Sequence, residues 1–258
     1  IYAGGTDLMV VKKFQPVVLF INQVKELRKL EKRDGYLVLG AALTYEELLH
    51  ADIPEIMKRV FEMVASPAIR NRGTIGGNIC NASPAGDTLP MWYALSAEVE
   101  LQSLSDQGEI NIRTIPIREF ILGIRKIDRR KDEVLTAVRV PLSRLTEDTC
   151  FYYKKVGARR AEAISKLSFF GMAKCCEGRI AEIKIAFGAV GITVVNPDEI
   201  GSLAIGLTST QLQEKRKEIA DICMAYVKPI DDQRSTAEYR KLTAERLLND
   251  FIDRVINA

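Results

Sequence analysis

The chain has 258 residues and a formal net charge of +3, with 47% hydrophobic and 28% charged residues. This length allows one large domain or two modest ones with a buried core, so neither disulfide bonds nor a structural metal is needed for stability. The charge is too small to indicate a nucleic-acid partner, and no apolar run reaches the roughly 20 residues of a membrane-spanning helix. We therefore expect a cytoplasmic protein that neither binds nucleic acid nor inserts into a membrane.

The first half of the chain mixes strand and helix patterns, which predicts an α+β domain. Thr44, with Glu47 three residues later, forms the pattern of a capping box at a helix start. Pro54 opens a second predicted helix, which has apolar residues at helical spacing behind it. The further predicted elements are buried strands at 17–21 and 36–41, paired strands at 97–103 and 109–117 around a turn at 105–108, a short helix at 118–123 and a strand at 132–141.

After about Ser143 the pattern changes to consecutive strands. Strands at 150–156, 166–178 and 178–191 predict an antiparallel meander whose last two strands are joined at Glu177 and Gly178. Two helices follow, one over 210–227 and one from Ser235, where Ser-Thr-Ala-Glu forms a second capping box. The sequence therefore predicts two domains, at 1–143 and 148–258, and the second is built of three strands and helices.

The cysteines and the single histidine predict neither a metal site nor a disulfide framework. The five cysteines are an odd number and contain no Cys-x-x-Cys pair. We interpret them as buried thiols of a reducing cytosol, including the adjacent Cys175 and Cys176 on a predicted strand. His50 follows a helix and is predicted to be a surface residue. The sequence thus indicates no metal ligand and no catalytic side chain.

Two short segments combine paired glycines with Thr and with Asn or Asp: AGGTDL at 3–8 and TIGGN at 74–78. Glycine lets the main chain approach a ligand closely, and successive glycine amides in a turn can hold anionic oxygens. Two such segments fit a ligand with two phosphates, such as a pyrophosphate. The chain has neither a P-loop nor the Gly-x-Gly-x-x-Gly pattern of a Rossmann fold, so the sequence predicts a dinucleotide bound by a different fold.

Five segments spread over the chain carry a family resemblance. They are AGGTDL at 3–8, IRNRGTIGGNICNASPAGD at 69–87, GIRKIDRRKDEVLTAVRVP at 123–141, YYKKVGARRAEAIS at 152–165 and DDQRSTAEYR at 231–240. Together they resemble the FAD-binding subunit of molybdenum hydroxylases, a family that includes the medium subunit of carbon monoxide dehydrogenase and the flavin domain of xanthine dehydrogenase. The resemblance implies a two-lobed FAD-binding fold of the vanillyl-alcohol-oxidase (PCMH) type, followed by a small C-terminal domain of three antiparallel strands and helices. It also leads us to expect a further strand–helix unit before residue 1.

The resemblance implies a set of residues around the FAD. Asp87 would reach the ribose of the adenosine half, and Leu135 would pack near the adenine. Lys154 would lie by the flavin ring or its ribityl chain, and Ile164 would shield one face of the ring. Val64 stands where some relatives place an aromatic residue against the flavin. The pyrophosphate would lie between Ala3, Gly4, Gly5, Thr6, Asp7 and Leu8 on one side and Thr74, Ile75, Gly76, Gly77 and Asn78 on the other.

The same resemblance implies an oxidoreductase subunit that transfers electrons. Its FAD would receive them from the [2Fe–2S] clusters of an iron–sulfur subunit and pass them to NAD⁺ or another acceptor. Molybdopterin would be bound by a large partner subunit, since this chain shows no pterin site and no cysteine pattern for a cluster. The charged loop at 156–163, with Arg159, Arg160 and Glu162, is expected to tune access of the acceptor.

Two other interpretations stay open at this point. A free-standing flavin reductase of the same fold would need a proton donor, for which Ser165, Tyr152 and Tyr153 are candidates. A flavin-free scaffold that bridges partner proteins is the second alternative, and the intact glycine segments argue against it. An absorption spectrum separates a scaffold from a flavoprotein, and copurification with molybdenum and iron separates a subunit from a free-standing enzyme.

Overall fold

A computed structural model describes residues 1–11, 16–159 and 162–258, so the predicted role of Arg160 lies outside the described residues. The described chain divides into two compact units. The first contains Ile1–Ser83 and Ser96–Ser143, and the second contains Pro84–Leu95 and Arg144–Ala258. This division differs from the predicted domains in residues 84–95, which pack with the second unit.

The chain contains both helices and antiparallel strands, as predicted for an α+β protein. Among the described residues, no helix combines the length and the apolar character needed to cross a lipid bilayer. The helices are α1 Thr6–Val11, α2 Tyr45–Leu49, α3 Glu55–Glu62, α4 Pro67–Arg70, α5 Ile75–Asn81, α6 Leu89–Ala94, α7 Ile117–Phe120, α8 Glu199–Ala204, α9 Ser209–Ala225 and α10 Ala237–Ile256, and short 3-10 helices cover Lys25–Arg28 and Leu142–Arg144. The strands are β1 Leu30–Arg33, β2 Tyr36–Gly40, β3 Glu98–Leu104, β4 Ile110–Pro116, β5 Ile121–Gly123, β6 Lys126–Ile127, β7 Val134–Pro141, β8 Thr149–Val156, β9 Leu167–Cys176 and β10 Arg179–Gly188.

The first unit contains a five-stranded antiparallel sheet in the order β1-β2-β7-β3-β4. Asp34 and Gly35 both have positive φ, the conformation of a tight hairpin turn between β1 and β2. Thr44 caps α2: its side chain accepts from the Glu47 N–H, and the Glu47 carboxylate accepts from the Thr44 N–H, which confirms the predicted capping box. The chain leaves β2 directly into this helix, so the cap fixes where the helical layer of the unit begins.

Residues 17–21 do not form the buried strand that their apolar sequence predicts. A single parallel bridge between Tyr2 and Phe20 is their only sheet contact among the described residues. The side chains of Val17 and Phe20 are 86% and 60% exposed, whereas Ile21 is buried. An apolar run forms a buried strand only where other elements cover both of its faces, and the described residues leave these faces open.

Several short elements also differ from the sequence prediction. The segment predicted as one helix at 118–123 is the helix α7 followed at once by the strand β5. Helices α5, α6 and α8 were not predicted, and each has only six or seven residues. Helices of this length show less than two turns of periodicity, so an apolar pattern cannot reveal them.

The second unit contains a three-stranded antiparallel sheet in the order β10-β9-β8, which confirms the predicted meander. One face of β9 packs against α10, and a Cβ on Gly171 would lie 2.8 Å from the ring of Phe251. The other face packs against α6. Every residue of α6 is buried, including Trp92. A helix that is apolar on all sides must be enclosed, which explains why residues 84–95 belong to this unit.

The cysteines are only partly as predicted. Cys223 is buried, and burial raises the pKa of its thiol to about 12. Cys175 and Cys176 are exposed, so the prediction of buried thiols is wrong for this pair, which lies where β9 runs out towards the turn at Glu177. His50 is exposed, as predicted. Within the described ranges, no group of His, Cys, Asp and Glu side chains is arranged to hold a metal ion.

The segment before α10 is held by an ion pair between the half-buried Asp232 and the buried Arg240. The Asp232 carboxylate accepts from the Arg240 guanidinium at 2.6 Å and from the Arg234 N–H at 2.8 Å. Arg240 is buried, and its hydrogen bond holds the pKa of Asp232 well below its usual range. Thr236 caps the helix instead of Ser235, which corrects the predicted cap by one residue. The motif at 231–240 therefore holds the start of α10.

We predict that Asp232→Asn lowers the free energy of unfolding by about 2 kcal/mol near neutral pH, because Arg240 then loses its ionic partner. The native pKa of Asp232 is lowered, so its contribution is complete above the unfolded value of about 4 and is lost as the pH falls through the native value. Chemical denaturation of the variant and the parent as a function of pH measures this difference.

Asp221→Asn, on the exposed surface of α9, is the matched control and should change the stability little. Equal effects of the two substitutions, or a difference between parent and Asp232→Asn that persists unchanged at strongly acidic pH, would contradict this role of Asp232.

Candidate functional site

The two glycine segments meet in the first unit. A Cβ on Gly4 would lie 1.9 Å from the carbonyl oxygen of Arg72, two residues before Thr74. No side chain fits at that distance, so only glycine allows the two parts of the backbone to touch. The first segment therefore touches the chain just before the second segment begins.

The first segment ends in a helix and offers backbone donors. Gly5 has φ +76°, a conformation that favours glycine, and α1 starts at the next residue. The N–H groups of Thr6, Asp7 and Leu8 open this helix, so they have no intrahelical acceptor. Among the described residues, no other backbone acceptor binds them either. These donors, with the half-buried Ala3 and Gly4 before them, are free to bind an anion.

The second segment has a different construction from the predicted loop. Thr74 is the N-cap of α5, and its side chain accepts from the Gly77 N–H at 3.1 Å. The Gly76 N–H donates to the carbonyl oxygen of Ala41 at 2.9 Å, and a Cβ on Gly76 would lie 2.7 Å from the Ala41 side chain. The N–H groups of Ile75 and Asn78 also donate to carbonyl oxygens within the unit. The expectation of glycine amides open to a ligand is therefore not met here: Gly76 serves close packing.

A cleft of about 440 Å³ adjoins both segments. A parallel bridge joins Tyr2 to Phe20. Two residues after each of them, Gly4 and Asn22 line the cleft. Its lining residues are polar or basic apart from one glycine: Gly4, Asn22, Gln23, Lys25, Arg28, Thr44, Asn71, Arg72 and Thr74.

The wall of this cleft is held in place by Arg28. Its guanidinium donates to the carbonyl oxygens of Asn22 at 2.9 Å and Ala42 at 3.2 Å and forms an ion pair with Glu47. Burial opposes ionisation of Glu47, but hydrogen bonds from Thr44 and the charge of Arg28 lower its pKa overall. Arg28 is therefore neutralised within the protein, whereas Lys25 and Arg72 are exposed cations of the cleft.

A second polar cluster lies within the second unit and is centred on Asp87. Its Oδ2 is 2.7 Å from Lys155 Nζ, and its Oδ1 accepts from Ser165 Oγ at 2.6 Å. The Tyr153 hydroxyl donates to the Asp87 carbonyl oxygen at 3.2 Å. The carboxylate side chain is 12% exposed. Burial raises the pKa of Asp87, and Lys155 and Ser165 partly offset that effect.

The structure places Lys155, and not Lys154, beside Asp87. Successive side chains of β8 point to opposite faces of the sheet. Lys155 pairs with Ser168 on β9, and Lys154 pairs with Phe169, whose face packs against α10. Lys155 thus faces Asp87, which stands two residues before α6, while Lys154 is exposed. Strand alternation was the signal that separates the two lysines, but the sequence did not show which face carried α6.

The other predicted residues are divided between core and surface. Leu135, on β7, and Val64 are 4% and 8% exposed and form part of the first unit's core. Ile164 is 58% exposed, so it is not a core residue. Nearby, the Arg159 guanidinium donates to the carbonyl oxygen of Glu162 at 2.8 Å.

Comparison with known proteins shows the family. Residues 1–143 match the family described as the FAD binding domain in molybdopterin dehydrogenase. The chain belongs to this family. Residues 151–255 match a second family, the CO dehydrogenase flavoprotein C-terminal domain. The predicted resemblance is confirmed, and FAD is the cofactor that the family describes.

Individual relatives agree with this assignment. The carbon monoxide dehydrogenase medium chain of Hydrogenophaga pseudoflava is 27% identical over 99% of this chain and 87% of its own length. The xanthine dehydrogenase FAD-binding subunit of Escherichia coli O157:H7 is 29% identical over 75% of this chain and 67% of its own length. A structure of the Hydrogenophaga carbon monoxide dehydrogenase that lacks the Mo-pyranopterin moiety matches with a TM-score of 0.85 and 26% identity, covering 96% of this chain and 86% of that chain. The α+β fold and the oxidoreductase class are thus confirmed.

The first unit of this FAD-binding family member fits the diphosphate part of FAD. A diphosphate needs donors and positive charge at close range. The N–H groups of Thr6, Asp7 and Leu8 supply the donors, and the exposed cations of the cleft supply the charge. Gly4 brings these two sources together, because a side chain there would hold the segments apart.

We predict that Gly4→Ala weakens FAD binding at least about tenfold and lowers the free energy of unfolding by about 2 kcal/mol, because the new methyl group forces Gly4 away from Arg72. Titration with FAD and chemical denaturation measure the two effects. Gly123→Ala is the control: a Cβ there meets nothing closer than 3.9 Å, so both properties should stay as in the parent. Unchanged FAD affinity in Gly4→Ala would show that the contact does not shape the site.

We predict that Lys155→Met lowers the free energy of unfolding by about 3 kcal/mol, because it leaves the Asp87 carboxylate without its charge partner. Lys154→Met is the matched control on the neighbouring position and should change stability by at most about 0.5 kcal/mol. Denaturant unfolding of both variants checks the assignment of the buried lysine, which would be wrong if Lys154→Met had the larger effect.

Proposed function

We propose that this chain is the electron-transfer flavoprotein subunit of a molybdopterin-containing hydroxylase or dehydrogenase. Its FAD takes electrons from the iron–sulfur clusters of a partner and passes them to NAD⁺ or another acceptor. Family membership supports this proposal, as do relatives that are named as a medium chain and an FAD-binding subunit of such dehydrogenases.

The contact between Gly4 and Arg72 is the observation that carries the proposal. It joins a segment with unpaired N–H groups to a basic cleft, and that combination suits a diphosphate. We assign the N–H groups of Thr6, Asp7 and Leu8 and the side chains of Lys25 and Arg72 to the two phosphates. Bound FAD supplies the electron and hydride chemistry, so the protein's own part is to bind and orient it.

Asp87 is suited to hold a hydroxyl group of the FAD ribose. A carboxylate has about four acceptor positions, and Lys155 and Ser165 occupy one on each oxygen. The remaining positions can accept from a ribose hydroxyl at the exposed edge of the side chain. Burial raises the pKa of Asp87, and the ion pair with Lys155 opposes that rise, which favours the carboxylate form that accepts hydrogen bonds. Tyr153 fixes the backbone of Asp87 at the same time.

The proposal assigns the other redox centres to partner subunits. An iron–sulfur subunit would deliver electrons, and a large molybdopterin subunit would carry the substrate chemistry. This division is supported by the name of the related Hydrogenophaga protein, which is one chain, the medium chain, of its enzyme.

The test is to isolate the chain in its native complex and to measure its visible spectrum, its molybdenum and iron content and its reduction of NAD⁺. We expect one FAD per chain, with molybdenum and iron in the same complex. Bound FAD without either metal would favour the free-standing reductase. A colourless protein that takes up no FAD would contradict the proposal and favour the flavin-free scaffold. A complete complex that reduces another acceptor but not NAD⁺ would contradict the NAD⁺ assignment alone.

A further inference from the structure

Strand β4 forms one edge of the five-stranded sheet, with β3 as its neighbour. Two backbone bonds at the ends of this pairing fix its pattern. The Ser105 N–H donates to the carbonyl oxygen of Glu109 at 2.8 Å, and the Ile117 N–H donates to that of Ala97 at 2.9 Å. Because alternate residues of an antiparallel strand bond to the same neighbour, the odd-numbered residues of β4 bond to β3. The even-numbered residues direct their N–H and C=O groups away from the sheet.

This edge carries a row of free backbone donors. They are the N–H groups of Ile110, Ile112 and Thr114, for which no other segment of the described chain supplies a backbone acceptor. Pro116, the next even-numbered residue, has no N–H, and proline inside a sheet is confined to such edge positions. The pattern therefore leaves β4 open to a further strand.

The side chains at this edge are apolar and exposed. Ile110 and Ile112 are 63% and 62% exposed, and Leu104, opposite Ile110 on β3, is 68% exposed. Edge strands commonly carry charged side chains or bulges, which prevent pairing with another chain. The one charged side chain of β4, that of Arg113, points to the opposite face of the sheet, where two carboxylates bind it at 2.8 Å. An edge of this kind is suited to add a strand from another chain.

The sequence of β4 fits a second copy of itself in one antiparallel register. With Ile112 opposite its own copy, Ile110 lies opposite Thr114 of the second copy, and all three free N–H groups face carbonyl oxygens. A two-fold axis one residue earlier, at Asn111, would place Thr114 opposite Gly108, which lies in the turn before β4. Those donors would then be used only in part.

Charge excludes the neighbouring register on the other side. A two-fold axis at Arg113 would place this guanidinium opposite its own copy, and like charges that face each other across strands are destabilising. With the axis at Ile112, Arg113 lies opposite the neutral Asn111. The register that uses all the donors is therefore also the one that is compatible with the charges.

We propose that the free edge of β4 is a contact between two copies of this chain, which pair antiparallel about a two-fold axis at Ile112. Each copy supplies backbone acceptors to the other, and the sheet continues from one copy into the next. Leu104, Ile110 and Ile112 of both copies form one apolar stripe on the joined sheet. A contact of this symmetry uses the same surface of both copies. The inference goes beyond the proposed function and does not depend on bound FAD.

The experiment measures the mass of the purified full chain by sedimentation velocity over a range of concentrations. We expect the parent to dimerise. Ile112→Lys should weaken dimerisation at least about tenfold, because it places like charges opposite each other at the axis. Ile112→Glu should have the same effect for the same reason. An equimolar mixture of the two variants should dimerise again, since a lysine then faces a glutamate.

Ile124→Lys is the matched control. It places the same charge on another isoleucine of the first unit, which is 60% exposed, and it should leave dimerisation as in the parent. Circular dichroism checks that all variants are folded, as expected for substitutions at exposed positions.

Three results would overturn the inference: a parent that stays monomeric and is present as a single copy in its native complex, an Ile112→Lys variant that dimerises like the parent, or a mixture of the charge variants that stays monomeric. A different protein released from the native complex by Ile112→Lys would also overturn it, because the edge would then bind that protein and not a second copy. FAD uptake is measured on the same samples. A parent that takes up no FAD would contradict the proposed function and leave this inference intact.

Discussion

The absence of a side chain at Gly4 is the constraint on which the first unit's site depends. The backbone there lies against the carbonyl group of Arg72 at a distance that no other residue allows. Because of that contact, the unpaired N–H groups at the start of α1 and the basic residues of the cleft border one space. A side chain at residue 4 would leave each group of donors in place but would separate them.

The two glycine pairs have different physical roles, and the sequence could not distinguish them. At residues 4 and 5 glycine permits a close backbone contact and a positive φ, and the following amides have no backbone acceptor in the part of the chain that the structure describes. At Gly76 the amide donates to Ala41 and the missing side chain allows α5 to approach the chain after β2. Both positions have the same local composition. Only the long-range partner decides whether a glycine N–H faces the protein or a ligand, and periodicity carries no information on that partner.

Local signals predicted well wherever the outcome depended on neighbours in sequence. The capping box at Thr44 and the meander of β8, β9 and β10 belong to this class. Burial was less predictable, because it depends on what covers a segment. The exposed apolar run at 17–21 and the exposed Cys175 illustrate this. The sequence likewise could not show which of Lys154 and Lys155 lies beside Asp87, since alternation gives two faces but does not say which one α6 covers.

The path of the chain has a consequence for how these units evolve. Residues 84–95 belong to the second unit, although in sequence they lie between the two parts of the first. The chain therefore passes from one unit to the other after residues 83, 95 and 143. A fragment that starts at Arg144 would therefore keep all three strands of the sheet but lack α6, and one face of β9 would lose its apolar cover. A single recombination point cannot exchange the second unit between genes as a complete piece. Asp87 lies on the stretch that such an exchange would leave behind, so the exchange would also separate it from Lys155 and Ser165.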